Sequence, residues 1–198
     1  PPKQAKSVLE AMVSGSGNSV YTRAGVMASS IRSATHFRYC PLCFQEDLAR
    51  HGELYWHRMH QIPGWDVCVK HGTWLINSKV ALRQANKHVF VEPTEENCPL
   101  DQVAFITDSR LLSHYRSIGN GIEALLTQRF PHRPLDWFQR HYEARLRQKH
   151  YASLVSGKVD QAKLQRDFVQ YYRKEFLERL QSSLRGESNW LAAMVRKH

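Results

Sequence analysis

Cys40-Pro41-Leu42-Cys43 and Cys68-Val69-Lys70-His71 are two short hooks of one design. Each sets two soft or borderline metal ligands at positions i and i+3, so both side chains of a hook can reach one ion. Two hooks together complete a tetrahedron. Three thiolates and one imidazole make a closed zinc site that holds structure, whereas a catalytic zinc keeps one position open for water. One structural Zn2+ bound by Cys40, Cys43, Cys68 and His71 is therefore expected. In a module this small the ion supplies much of the folding free energy, on the order of 10 kcal/mol.

Other residues compete for the fourth position. Cys98 is the remaining cysteine and lies beside Pro99, but it is far downstream and has no partner at i+3. It reads as a buried apolar residue. His57 and His60 fall in Tyr55-Trp56-His57-Arg58-Met59-His60-Gln61-Ile62, which alternates large and polar residues like a strand. Residues three apart on a strand face opposite ways, so these two histidines are assigned to surface or core, and spacing favours His71.

Four cysteines in 198 residues, three of them in the hooks, do not make a disulfide scaffold. Reduced thiols imply a reducing compartment. The chain opens Pro1-Pro2 without a charged-then-apolar leader and carries no apolar run of the roughly twenty residues that span a bilayer. A soluble, cytoplasmic protein is expected, and the missing initiator methionine reads as an internal piece of a longer one. Lys plus Arg total 28 against 18 Asp plus Glu, a net charge of +10. The surplus is uneven: residues 1–130 hold 14 basic and 11 acidic side chains, residues 131–198 hold 14 and 7. A basic C-terminal third interleaved with aromatics fits a polyanionic partner, of which nucleic acid is the commonest.

These patterns predict a mainly α chain with a small zinc-binding β-hairpin or knuckle module and a helix-turn-helix-like region C-terminal to it. Residues 1–36 read as a helical segment and linker, with helices over Gln4–Val13 and Thr22–Ile31 around a flexible Ser14–Ser19 connector. Residues 37–98 read as the zinc module. There Phe44–His51 forms a helix closed by Gly52, Tyr55–Ile62 a strand, Pro63-Gly64 a turn and Thr73–Ile76 a second strand. Residues 99–198 read as helical. Gln102–Arg116 is interrupted near Asp108, Gly119-Asn120-Gly121 breaks the chain, and a further helix starts at Ile122. Leu135–Lys149 carries Leu135, Phe138, Tyr142 and Leu146 on one face. Asp160–Leu184 is one helix or two joined near Tyr171–Lys174. Two or three basic amphipathic helices joined by short turns form a plausible helix-turn-helix unit.

The run Tyr39-Cys40-Pro41-Leu42-Cys43, then Gly52, Tyr55 to Ile62 and Cys68-Val69-Lys70-His71-Gly72-Thr73-Trp74-Leu75, resembles the TniQ/TnsD family. Leu135-Asp136-Trp137 through Leu146, Val159 through Leu164, Phe168, Phe176-Leu177, Trp190-Leu191 and Arg196-Lys197 are similar to that family's helical region. Val69 departs from it, since the family usually has proline there, and leaves the ligand spacing unchanged. The resemblance implies a DNA-binding selector of transposition target sites, of the TnsD branch. Such a protein recognises a chromosomal attachment site in double-stranded DNA and recruits an AAA+ ATPase regulator (TnsC-like). It would be bacterial and nucleoid-associated. Alternatives are a TniQ-type adaptor between an RNA-guided complex and the ATPase, and a zinc-stabilised DNA-binding regulator unrelated to transposition.

Under the DNA-binding reading, Lys163, Gln165 and Arg166 are candidates to read base edges, and Arg145, Arg147 and Lys149 to neutralise phosphates. An enzyme is not expected: the acids are scattered rather than clustered around hard metal ions, and no nucleophile motif is present. A protein-interaction surface could draw on Trp56, Trp65, Trp74 or Trp137, though tryptophans at such positions are more often core.

Overall fold

The computed structural model describes residues 2–14, 17–23, 29, 31–83, 86, 89–186 and 189–194. Two compact units emerge, one over Ile31–Gln128 and one joining Pro1–Ser30 with Arg129–His198. The first takes in a long helix, Ser109–Thr127, which lies within the 99–198 region expected to be separate from the zinc module.

In the unit over residues 31–128, β1 (His36–Tyr39) leads directly into α3 (Pro41–His51), and β2 (Val67–Cys68), β3 (Thr73–Trp74), β4 (Ile76–Ala81) and α4 (Ser109–Thr127) follow. β1 pairs antiparallel with β4, Tyr39 opposite Ile76 and Arg38 opposite Asn77. β2 pairs antiparallel with β3, Cys68 opposite Thr73. Pro41 stands in the first turn of α3, where its missing N–H is no loss. Gly52 ends the helix in the left-handed region at φ 74°, its N–H donating to Leu48 O, as its place after Arg50-His51 led us to expect.

The core of this unit is aromatic. Tyr39 and Phe44 stack at 5.1 Å and enclose Cys98, with Leu54, Trp56, Ile76 and Leu100 around them. Cys98 is thus a buried apolar residue, as expected. The Tyr39 hydroxyl donates to Pro99 O at 2.8 Å. Burial, and after it the Cys98 and Asp101 charges, push its ionisation up to about 12. A second centre forms where Tyr115 of α4 meets Trp65 and Trp74 edge-on, at 5.4 and 5.7 Å.

Two features expected from the sequence do not form. Tyr55–Ile62 is not a strand: it runs as an extended loop into a 3-10 turn over Arg58–Gln61. Its alternation arises because Trp56 and His60 turn inward, the Trp56 indole N–H donating to Val91 O. Gly119-Asn120-Gly121 does not interrupt the chain, since α4 is continuous through it. A Cβ at Gly119 would lie 2.5 Å from Cγ1 of Val69 and 3.0 Å from Cζ2 of Trp65, whereas one at Gly121 meets nothing within 4 Å. Gly119 is a close-approach glycine at which α4 passes over the second hook. Asp108 is the N-cap of α4, accepting from the N–H groups of Arg110 and Leu111.

In the other unit, α1 (Pro2–Val13) and α2 (Gly17–Arg23) are tied by Arg23, which donates to Ser7 O and Oγ. The connector expected over Ser14–Ser19 is partly helix α2, and its residues 15–16 lie outside the described residues, as do 24–28 and 30 of the expected second helix. Then come α5 (Leu135–Gln148), α6 (Gln161–Tyr172), α7 (Lys174–Arg179) and α8 (Trp190–Met194). Residues 149–160 between α5 and α6 are drawn together by an antiparallel bridge between Ala152 and Val159. Asp160 caps α6 by accepting from Lys163 N–H. The Asp160–Leu184 stretch resolves into two helices broken at Arg173, whose φ of 67° departs from helix. Leu164, Phe176, Leu177 and Leu191 are buried, and Phe168 meets Trp190 edge-on at 5.6 Å. The apolar face of α5 is less covered than its pattern implies: Phe138 is 41% and Tyr142 36% exposed.

No helix among the described residues is long and apolar enough to cross a membrane.

Candidate metal centre and basic helices

Cys40 follows β1 as the N-cap residue of α3, Cys43 sits in the first turn of that helix, and Cys68 ends β2. The chain then turns back on itself, Gly72 N–H donating to Cys68 O at 2.8 Å. That turn carries His71 and needs the left-handed φ of 67° that Gly72 adopts. The ligand atoms of Cys40, Cys43, Cys68 and His71 all lie within 4.8 Å of one another. Sγ of Cys43 and Cys68 are 3.6 Å apart. Nδ1 of His71 lies 3.5, 3.4 and 3.6 Å from the sulfurs of Cys40, Cys43 and Cys68. A tetrahedron of Zn–S and Zn–N bonds of ordinary length has edges of about 3.5–3.8 Å. The four side chains can hold a metal ion, and their spacing and thiolate-rich chemistry fit zinc.

Electrostatics point the same way. The Cys40 thiol is held far below its ordinary value, chiefly by hydrogen bonds with Cys43 and Cys68 and also with the Thr73 hydroxyl, whose Oγ1 lies 3.2 Å from the sulfur. The bond to Cys40 pushes Cys43 and Cys68 up instead. Three thiolates cannot be buried together without a cation, and an arriving metal supplies one, releasing protons as it binds.

Around the ligands stands a polar shell. His71 Nε2, the ring atom away from the sulfurs, is 3.3 Å from Oε1 of Glu46, while Oε2 of Glu46 pairs with the Lys70 ammonium. Lys70 first, and then the His71 ring, hold the Glu46 carboxyl below its ordinary range. His60 is buried with Nε2 3.9 Å from the Cys43 sulfur. Burial, and after it the neighbouring His57 ring, push its imidazole down to about 3. The His57 Nε2–H donates to Oδ2 of Asp47 at 2.6 Å, and its ring stands 4.8 Å from that of His60. The two histidines do share one side of their segment, because it is a 3-10 turn. The group whose atoms converge nevertheless contains His71 and neither of them. Glu46 escaped the sequence reading. Its signal was its position three residues after Cys43, on the same face of α3.

The candidate DNA contacts are scattered over α5 and α6. Arg147 is held within its unit, donating to Oε1 of Glu143 at 2.7 Å and to Leu154 O. Arg145 donates to Gln148 on the same helix, and Lys149 is the exposed cap residue of α5. Lys163 folds back, its ammonium donating to His150 O and lying 5.3 Å from the centre of the Tyr151 ring. Gln165 is half-buried. Arg166 is 70% exposed and lies 3.5 Å from its neighbour Asp167. Trp65 is buried and Trp56, Trp74 and Trp137 are half-buried, so none stands out as an exposed anchor.

A family model described as TniQ matches residues 3–75, and one described as Tn7-like transposition protein D, TnsD, matches residues 118–198. Transposon Tn7 transposition protein TnsD of Escherichia coli is 43% identical over 53 residues, which are 27% of this chain and 10% of that protein. The chain thus aligns with a small part of that relative's length. Both metal hooks fall within the first family match and the basic helices α5 and α6 within the second, so over these two stretches the chain is similar to the TniQ and TnsD families.

Proposed function

We propose that this chain is part of a target selector for DNA transposition. In this reading it is a non-enzymatic adaptor that binds double-stranded DNA at a chromosomal attachment site and brings an AAA+ regulator of the TnsC kind to it. The observation that carries the reading is the pair of family matches, one over the hooks and one over the basic helices. The closed set of three thiolates and one imidazole supports a structural zinc, because four protein ligands leave no place for a reacting water. The charge surplus of residues 131–198 supports a polyanionic partner. Among the six DNA candidates, Arg145, Lys149 and Arg166 are exposed, Arg166 at 70%.

The test is a gel shift of the zinc-loaded chain on duplex DNA carrying candidate attachment sites, with and without the ATPase, over a series of salt concentrations. Retarded complexes whose affinity falls with salt, and which the ATPase supershifts, support the reading. Equal affinity for every duplex, or magnesium-dependent cleavage, overturns it. The TniQ match at residues 3–75 favours a second version, an adaptor joined to an RNA-guided complex. In that version, binding to duplex would depend on the guide complex.

A further inference from the structure

We infer that Glu46 is the positioning residue of the metal centre, fixing which nitrogen of His71 binds the ion, and that Lys70 holds Glu46 in place. The inference rests on the reading that Cys40, Cys43, Cys68 and His71 bind zinc.

Nδ1 of His71 faces all three sulfurs at 3.4–3.6 Å, so Nδ1 is the atom that supplies a lone pair to an ion at the centre. A neutral imidazole has a single N–H, and a ring that ligates through Nδ1 must carry its proton on Nε2. In a free histidine the other tautomer competes, and the ring turns about its Cβ–Cγ bond. Here Nε2 meets Oε1 of Glu46 at 3.3 Å. A carboxylate only accepts, so it favours the tautomer with the proton on Nε2 and opposes rotation of the ring. It also raises the basicity of the ligating nitrogen, as carboxylate partners of metal-bound histidines do.

The carboxylate is itself placed by local sequence. Cys43 and Glu46 are three apart on α3 and share a face. The first hook and the outer acceptor are therefore delivered by one rigid helix, while His71 arrives from the β2–β3 turn. The Lys70 ammonium takes the second oxygen, Oε2. Lys70 is the chain neighbour of His71, so the second hook supplies both the ligand and the group that steadies the ligand's partner. The pattern Cys-x-x-Cys-x-x-Glu, answered by Cys-x-Lys-His, is thus a six-residue device, two residues longer than the ligand set.

The test uses the full chain loaded with zinc, titrated against a chromophoric chelator, together with 15N-edited spectra of the histidine rings. Wild type should bind one zinc with His71 ligated at Nδ1 and a slowly exchanging Nε2–H. Glu46→Ala should weaken zinc about 10- to 100-fold, the usual effect of losing such a partner, and speed exchange of the Nε2 proton. Glu46→Gln, which keeps an acceptor oxygen without the charge, should lose less. Lys70→Met should lie between Glu46→Gln and wild type. Glu53→Ala removes an exposed carboxylate outside the site and should change nothing. Zinc affinity within twofold of wild type in Glu46→Ala, or ligation of His71 through Nε2, overturns the inference while leaving the metal reading intact. Failure of the wild-type chain to bind zinc overturns both. If Glu46→Ala does not fold, Glu46→Gln decides: an unchanged affinity and proton exchange in that variant also count against the inference.

Discussion

Two glycines two positions apart in α4 should respond to the same substitution with opposite sign. Replacing glycine by alanine inside a helix is favourable by about 1 kcal/mol, because alanine loses less backbone freedom on folding. At Gly121 nothing lies within 4 Å of the new Cβ, so Gly121→Ala should stabilise the protein by about that amount. At Gly119 the new Cβ would stand 2.5 Å from Val69 Cγ1 and 3.0 Å from Trp65 Cζ2, against a favourable carbon separation of about 3.5–4.0 Å. Val69 is half-buried and can give, but Trp65 is 2% exposed and wedged against Tyr115. Overpacking of this kind costs about 1–3 kcal/mol, so Gly119→Ala should be destabilising by about 0–2 kcal/mol once the helix gain is subtracted. Urea unfolding with free zinc held constant reads both values, since bound metal would otherwise shift the midpoint by mass action. Repeating Gly119→Ala in a Val69→Ala background should recover part of the loss and leave the share owed to Trp65. Equal stabilisation by alanine at both positions would refute the close passage of α4 over the second hook.

Cys68→Ser should release the metal and abolish the near-ultraviolet signal of Trp65 and Trp74, because about 10 kcal/mol of metal-linked folding energy matches the whole stability of a small domain; metal analysis after gel filtration checks it. Raising the pH should destabilise the unit over residues 31–128: Tyr39 is pushed from 10.0 up to about 12 and Cys98 from 9.0 up to about 12, each chiefly by burial. A raised native value means the unfolded chain loses its proton first, so stability is full below about pH 9 and falls as pH rises to 12. Cys98→Val should flatten the first part of that fall in stability measured by urea at successive pH values. Arg166→Ala should weaken DNA binding and reduce its salt slope by about 1. Arg147→Met should instead lower the melting temperature of the helical unit, since Arg147 is engaged with Glu143 and Leu154.

The hooks were legible because ligation is a local demand: two ligands at i and i+3 announce themselves whatever the fold around them. The cap Gly52 and the buried Cys98 were legible for similar reasons, one from backbone conformation and the other from chemistry without a partner. What escaped depended on contacts distant in sequence. The run through His57 and His60 looked like a strand because its large residues alternate, yet they alternate by packing on α3 and on the segment at Val91. Gly119 looked like a breaker because glycine usually is one, and only the proximity of Val69 and Trp65 explains it. Arg147 and Lys163 read from sequence as charges open to DNA, and both are folded back onto a neighbouring carboxylate or carbonyl.

The second hook does not end at His71. Beyond it, Trp74 N–H donates to Ala104 O and Ile106 N–H to Gly72 O, with Thr73 bridging Phe105, so the segment just before the Asp108 cap is sewn to the metal turn. Whatever loosens the ion will slacken that seam first and unhitch the start of α4 before its far end. Amide protons at Leu111 and Leu112 should therefore report demetallation sooner than those near Thr127, and a chelator would leave behind a helix that has lost its mooring rather than its propensity.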